Sequence, residues 1–171
     1  YLTLIFGFYF NENSIGGADY DFSIISEAII AFSDNLHLAY NNYASYKIAH
    51  FPYYYIILAL VYKITKSFFL LKIFILHVSL LLPFIFYKVL KTSFRNIDEK
   101  YILILLCLFF VSPSFRSTAI WGLNDNIALI FFTASIFFFQ KFNFAKNKRD
   151  KIYNIVILTL MLSISAYIRQ Y

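Results

Sequence analysis

Asp19 and Asp21 follow directly on the glycine pair Gly16-Gly17, within Asn11-Glu-Asn-Ser-Ile-Gly-Gly-Ala-Asp-Tyr-Asp-Phe22. Two carboxylates behind a glycine turn can abstract a proton from a bound hydroxyl or help hold a divalent cation. Either can equally cap a helix over 22–32, because Asp accepts hydrogen bonds from the free N–H groups of a first helical turn. The spacing leaves both roles open.

A second group lies in Ser112-Pro-Ser-Phe-Arg-Ser-Thr-Ala-Ile-Trp-Gly-Leu-Asn-Asp-Asn126, where Arg116, Trp121, Asp125 and Asn126 stand among small and apolar neighbours. Ionisable groups near membrane depth are expensive, so they usually face a cavity and often mark a functional path. Arg116 with Asp125 also reads as a structural ion pair. Arg169 closes the last apolar run, where its planar fork of donors can grip a phosphate, with Gln170 and Tyr171 beside it. The plain alternative is an arginine that snorkels to the interface. His50 precedes Phe51-Pro52, a break that can start a helix. Asp34, Asn35, His37, Asn41 and Asn42 read as solvated or turn-forming. Lys72 and His77 interrupt one apolar run; the lysine can snorkel, and interhelical hydrogen bonding suits the histidine better than catalysis.

The elements that must carry these residues are apolar. The chain is 61% hydrophobic and 14% charged with a mean hydropathy of +0.67, against about half apolar and a quarter charged in soluble domains. Those values exclude an ordinary water-soluble fold. The net charge of +6 is dispersed in short basic clusters between apolar runs, which argues against a nucleic-acid surface. Cys107 is the single cysteine, in an apolar run, so neither an internal disulfide nor a cysteine metal cluster is available. No basic, apolar and cleavage pattern of a signal peptide opens the chain, and both ends are expected to continue in a longer protein.

The expected fold class is all-α: one polytopic transmembrane helical bundle over 1–171, with an extracytoplasmic loop carrying juxtamembrane helices. Spanning ~30 Å of hydrocarbon takes about 20 mostly apolar helical residues. The expected helices are 1–10, truncated, then 68–87, 101–113, 127–140 and 152–168. Lys91, Arg95 and Lys100 form one basic cluster, and Lys141, Lys146, Lys148, Arg149 and Lys151 another; both mark cytoplasmic loops. That places 11–67, 113–126 and Arg169 outside. Within the first outer loop, 51–64 is expected in the interface, where Tyr53, Tyr54, Tyr55 and Tyr62 suit the headgroup region. A hairpin of 51–64 with 68–87 is the rival arrangement; it would put Lys63 and Lys66 inside but Lys88, Lys91, Arg95 and Lys100 outside. The second outer loop, between short helices, is expected to dip inward.

An acidic pair soon after the first helix, His50-Phe51-Pro52 before an apolar helix, and Ser112-Pro113, Arg116 and Asp125-Asn126 before another resemble the glycosyltransferase C superfamily. The resemblance runs through nearly the whole chain, with His-Phe-Pro standing where His-Pro-Pro is commoner. It implies a polytopic enzyme that moves a hexose, mannose or glucose, from a polyprenyl- or dolichyl-phosphate donor to an acceptor at the outer face, with inversion. Asp19 is then the first choice of catalytic base and Asp21 the second. Asp125 looks like the acid of the second outer loop, orienting the acceptor or joining Asp21 around Mg or Mn. The second-loop residues are similar to those of oligosaccharyltransferase catalytic subunits and mannosyltransferases, and Arg169-Gln170 is faintly similar to dolichyl-phosphate-glucose-dependent glucosyltransferases. Arg116 or Arg169 would stabilise the departing phosphate, with His50, Trp121, Asn126 and Gln170 completing the substrate site. The partners implied are the lipid-linked donor and the bilayer, a bacterial inner membrane rather than endoplasmic reticulum. A transporter or a non-catalytic assembly subunit is the competing reading.

Overall fold

The computed structural model describes every residue except 47, 49, 170 and 171. Among the described residues the chain is helical throughout, without strands. Its helices are α1 (Leu2–Tyr9), α2 (Ala18–Asp34), α3 (Leu36–Asn41), α4 (Tyr53–Thr65), α5 (Phe68–Ser79), α6 (Leu81–Ser93), α7 (Glu99–Val111), α8 (Pro113–Trp121), α9 (Asn124–Phe144) and α10 (Lys148–Ile168), with a 3₁₀ turn at Tyr43–Tyr46. Among the described residues, three stretches are long and apolar enough to cross a membrane: Phe68–Ser93, Asn124–Phe144 and Lys148–Ile168. A fourth exists if α7 and α8, which meet at 59°, count as one broken span. The 13 residues of α4 rise only about 20 Å, short of the ~30 Å of hydrocarbon.

Local chemistry sets these boundaries. Ser67 caps α5 by accepting from Leu70 N at 3.4 Å, and Asp98 caps α7 by accepting from Lys100 N at 3.0 Å. Pro83 has no N–H to give to the Ser79 carbonyl and its ring crowds that turn; the chain shortens there into a Leu80 N–His77 O bond of 3.1 Å, dividing α5 from α6. The expected helix 101–113 likewise stops at Val111. Ser112 turns extended, its Oγ accepts from Phe115 N, and Pro113 occupies the first turn of a new helix, where a missing N–H is harmless. The inward-dipping segment of the sequence reading is thus largely the helix α8.

Two apolar clusters meet around α8. One joins Ile25, Ala28 and Ile29 of α2 to Tyr55 and Leu58 of α4 and to Leu71 and Ile75 of α5. The other joins Leu4 of α1 to Leu76, Leu82, Phe115, Ala119 and Ile120. Trp121 and Ile127 pack against both. The helix α9 runs beside α10, pinned by Ser165 Oγ donating to Ala128 O at 2.9 Å and Asn124 Nδ2 donating to Ile168 O at 3.0 Å. His77 is exposed, with Tyr1 Oη 3.0 Å from its Nε2 and Ile73 O 2.7 Å from its Nδ1.

Gly122 ends α8 at φ +70°. Its carbonyl accepts from the buried Tyr54 hydroxyl at 2.8 Å, and an added Cβ would stand 2.7 Å from Ile75 Cδ1. Both the left-handed backbone and that approach favour glycine. Gly122→Ala is therefore expected to destabilise the fold by about 1–3 kcal/mol, read as a lower thermal midpoint of the detergent-solubilised protein; an unchanged midpoint would contradict the contact with Ile75.

Candidate functional site

A cavity of about 210 Å³ is lined by Asp21, His50, Tyr55, Asn124, Asp125 and Arg169, with Ile24, Ile25, Ile48 and Leu123 as its apolar wall. Asp21 reaches it from the first turn of α2, Asn124 and Asp125 from the first turn of α9, and Arg169 from the residue that closes α10. The two bonds between α9 and α10 put Arg169 against Asp125, and these two form an ion pair. Two carboxylates, one guanidinium and one imidazole thus face a common space assembled from three helix ends and a loop.

The acidic pair divides. Asp19 is exposed and accepts from Asn13 Nδ2 at 2.6 Å, away from the cavity that Asp21 lines. Residues two apart on an α-helix point about 200° from each other, so one site can take only one of them. Neither is the N-cap. Gly17, at φ +79°, holds that position, and Asn13 Oδ1 accepts from Ala18 N at 3.1 Å in place of a capping side chain.

Arg116 does not pair with Asp125, the arrangement open from sequence. It pairs with Glu12, donating through Nε to Oε1 at 2.8 Å, while Nη1 donates to Phe110 O at 3.0 Å and Nη2 to Thr3 O at 3.1 Å. Trp121 donates its indole N–H to Glu12 O at 2.9 Å, and the Lys72 ammonium lies 3.8 Å from the centre of its ring. Asn126, buried, donates to Phe115 O at 2.9 Å. None of Arg116, Trp121 and Asn126 lines the cavity. Gln170 lies outside the described residues. Asp34, Asn35, His37, Asn41 and Asn42 stay local: Asn35 caps α3 through Leu38 N, and Asn41 bonds His37 at 3.3 Å.

Glu12 and Asn124 were not picked out as site residues from sequence, and Tyr55, expected in the headgroup region, is instead buried beside the cavity. Asn124 adjoins Asp125 and was within reach of it; Glu12 had no local signal, since its partner stands 104 positions along. Arg116, above all by direct hydrogen bonding, holds the Glu12 carboxyl below the ordinary carboxylate range. Asp125 is paired with a guanidinium, and among the described residues no three His, Cys, Asp or Glu side chains converge to hold a metal. No family model matches the chain, and no curated protein or solved structure matches it.

His50 carries a consequence for pH. Its Nδ1 is buried without a protein partner among the described residues. Burial, then the Arg169 charge, depresses its pKa below the ordinary 6.5, with Asp21 opposing. The ring therefore titrates lower when folded than when unfolded, and the unfolded chain takes up the proton first. Stability from this residue is complete above pH 6.5 and drains away as pH falls through the folded midpoint. Thermal midpoints measured down a pH series should fall below pH 6.5 in the wild type and fall less in His50→Gln; parallel curves would refute the shift.

Proposed function

We propose that the chain is part of a multi-pass membrane glycosyltransferase of the glycosyltransferase C type, transferring a hexose from a polyprenyl-phosphate donor to an acceptor at the outer face. One observation carries this reading: residues lining the ionic cavity are chain neighbours of residues lining an apolar groove of about 670 Å³ walled by α4, α5, α6, α9 and α10. Tyr54 and Ile168 line the groove, while their chain neighbours Tyr55 and Arg169 line the cavity. A charged compartment continuous along the chain with an apolar one fits an amphiphile, whose prenyl tail is stabilised by burial and whose phosphate needs cationic donors.

The helix ends supply an orientation. Lys88, Lys91, Arg95 and Lys100 gather where α6 leads into α7, and Lys141, Lys146, Lys148, Arg149 and Lys151 where α9 leads into α10. Both junctions belong to the end of the helices opposite to Asp125 and Arg169. On the rule that cytoplasmic loops carry an excess of basic residues, the proposal takes that end as inside and the cavity as outside, in a bacterial inner membrane.

In the reaction, Asp21 takes the proton of the acceptor hydroxyl. The resulting oxygen nucleophile attacks the anomeric carbon on the face opposite the phosphate, the C–O bond to that phosphate breaks, and configuration inverts. Arg169 neutralises the departing phosphate by exchanging Asp125 for it. His50, neutral at pH 7 because of its lowered pKa, has a ring nitrogen to offer the acceptor. Asp19, the first choice from sequence, gives way to Asp21 because only Asp21 lines the cavity.

Transfer of radiolabelled sugar from polyprenyl-phosphate donors by the full-length protein tests this. Asp21→Asn should reduce transfer by about 100-fold or more, the usual range for a general base; Asp19→Asn should leave most of it, and a chelator should change nothing. Transfer from no donor by folded protein would favour a transporter or an assembly subunit.

A further inference from the structure

The residues around Arg116 form a second polar assembly, separate from the cavity and unused by the reaction above. Its guanidinium holds Glu12, Thr3 O and Phe110 O together, joining α8 to the loop ahead of α2, to α1 and to the end of α7. Gly7 makes room for this. A Cβ there would overlap Glu12 Oε2 and stand 2.9 Å from Ile120 Cδ1 and 3.0 Å from Arg116 Nη2. Trp121, also on α8, grips the same loop through Glu12 O. The next loop residue, Asn13, reaches forward to Ala18 N and Asp19 and so fixes where α2 begins. Phe22, adjacent to Asp21, rests against Trp121 at 6.2 Å between ring centres, and the Lys72 ammonium lies over both rings.

We propose that Arg116 is a positioning residue: with Glu12, Gly7 and Trp121 it clamps the loop ahead of α2 onto α8, and so holds Asp21 over the cavity that Asp125 and Arg169 enter from α9 and α10. The same short helix governs both sides of the site. Its body secures the start of α2, and its Gly122 end turns the chain into the first turn of α9, where Asp125 stands. A phosphate-binding role for Arg116 would require giving up bonds that already occupy Nε, Nη1 and Nη2. The inference takes from the proposed function only that the cavity is the working site.

Double electron–electron resonance on the full-length protein in lipid nanodiscs tests the clamp. Spin labels go on Tyr20→Cys of α2 and Leu129→Cys of α9, both exposed, in a Cys107→Ser background; Phe139→Cys with Tyr153→Cys reports on α9 against α10 as a control. Arg116→Gln is expected to broaden the α2–α9 distance distribution by about twofold, through loss of a bidentate charge-assisted contact, and to leave the control pair sharp. Gly7→Ala should do the same. Glu12→Gln combined with Arg116→Gln should broaden it no further than Arg116→Gln alone, as residues in one network are not additive. A sharp α2–α9 distribution in Arg116→Gln, or equal broadening of both pairs, overturns the proposal. Where Arg116→Gln gives no folded protein, Glu12→Gln and Gly7→Ala carry the comparison. Because no substrate is used, absence of sugar transfer would count against the function and leave this result standing.

Discussion

A guanidinium set among apolar helices has to have its donors occupied, and in this chain the demand made by Arg116 organises everything around it. Leaving a buried ionised group unpaired costs several kcal/mol, against about 1 kcal/mol for a helix cap. The first requirement therefore overrides local preference. It is met by one carboxylate, Glu12, and two carbonyls, Thr3 O and Phe110 O, from three separate segments. Phe110 lies in the last turn of α7, where carbonyls have no helical partner, so the bend at Ser112 also frees an acceptor for Arg116. The glycine at position 7 then follows from the closeness of the carboxylate to α1.

The cavity obeys the same rule with a different outcome. Asp125 and Arg169 satisfy each other across the ends of α9 and α10, but their side chains remain 21% and 33% exposed, so water or a ligand can compete for either. The arginines differ and the acids do not: Arg116 is 16% exposed against 33% for Arg169, Glu12 at 22% matches Asp125 at 21%, and the Arg116 guanidinium spends its remaining donors on two carbonyls. Of the two arginines, Arg169 is the one placed to exchange partners, and Arg116 the one placed to hold. Carboxylates at the first turns of α2 and α9 are further favoured by the positive ends of those helices.

Much of the helical framework was legible in the apolar runs, because length and hydropathy depend on composition alone. Boundaries were less so. The run 127–140 grows to Asn124–Phe144 because a helix, once started, carries polar residues such as Asn124 and Gln140 at little cost when their partners lie on neighbouring elements. The bend at Ser112 was hidden by reading Pro113 as a loop residue rather than as the first residue of a helix. In the site, Asp21, His50, Asp125 and Arg169 were all visible as residue types, yet which acid faces inward was not. That depends on helix phase, and the phase of α2 is set by Asn13 and Gly17. A pair of Arg116 with Asp125, the nearest acid along the chain, was one of the readings left open; the partner, Glu12, lies 104 positions away, a distance no local pattern can report.

The two pairings also explain why this chain can place charge at the ends of such apolar helices. Lys72 sits within an apolar stretch, but its ammonium lies over the faces of Phe22 and Trp121, where aromatic quadrupoles stand in for an anion. That leaves Glu12 to Arg116 and Asp125 to Arg169, so neither acid is drawn toward the lysine. An aromatic ring at position 121 thus holds the lysine over ring faces, apart from the two ion pairs.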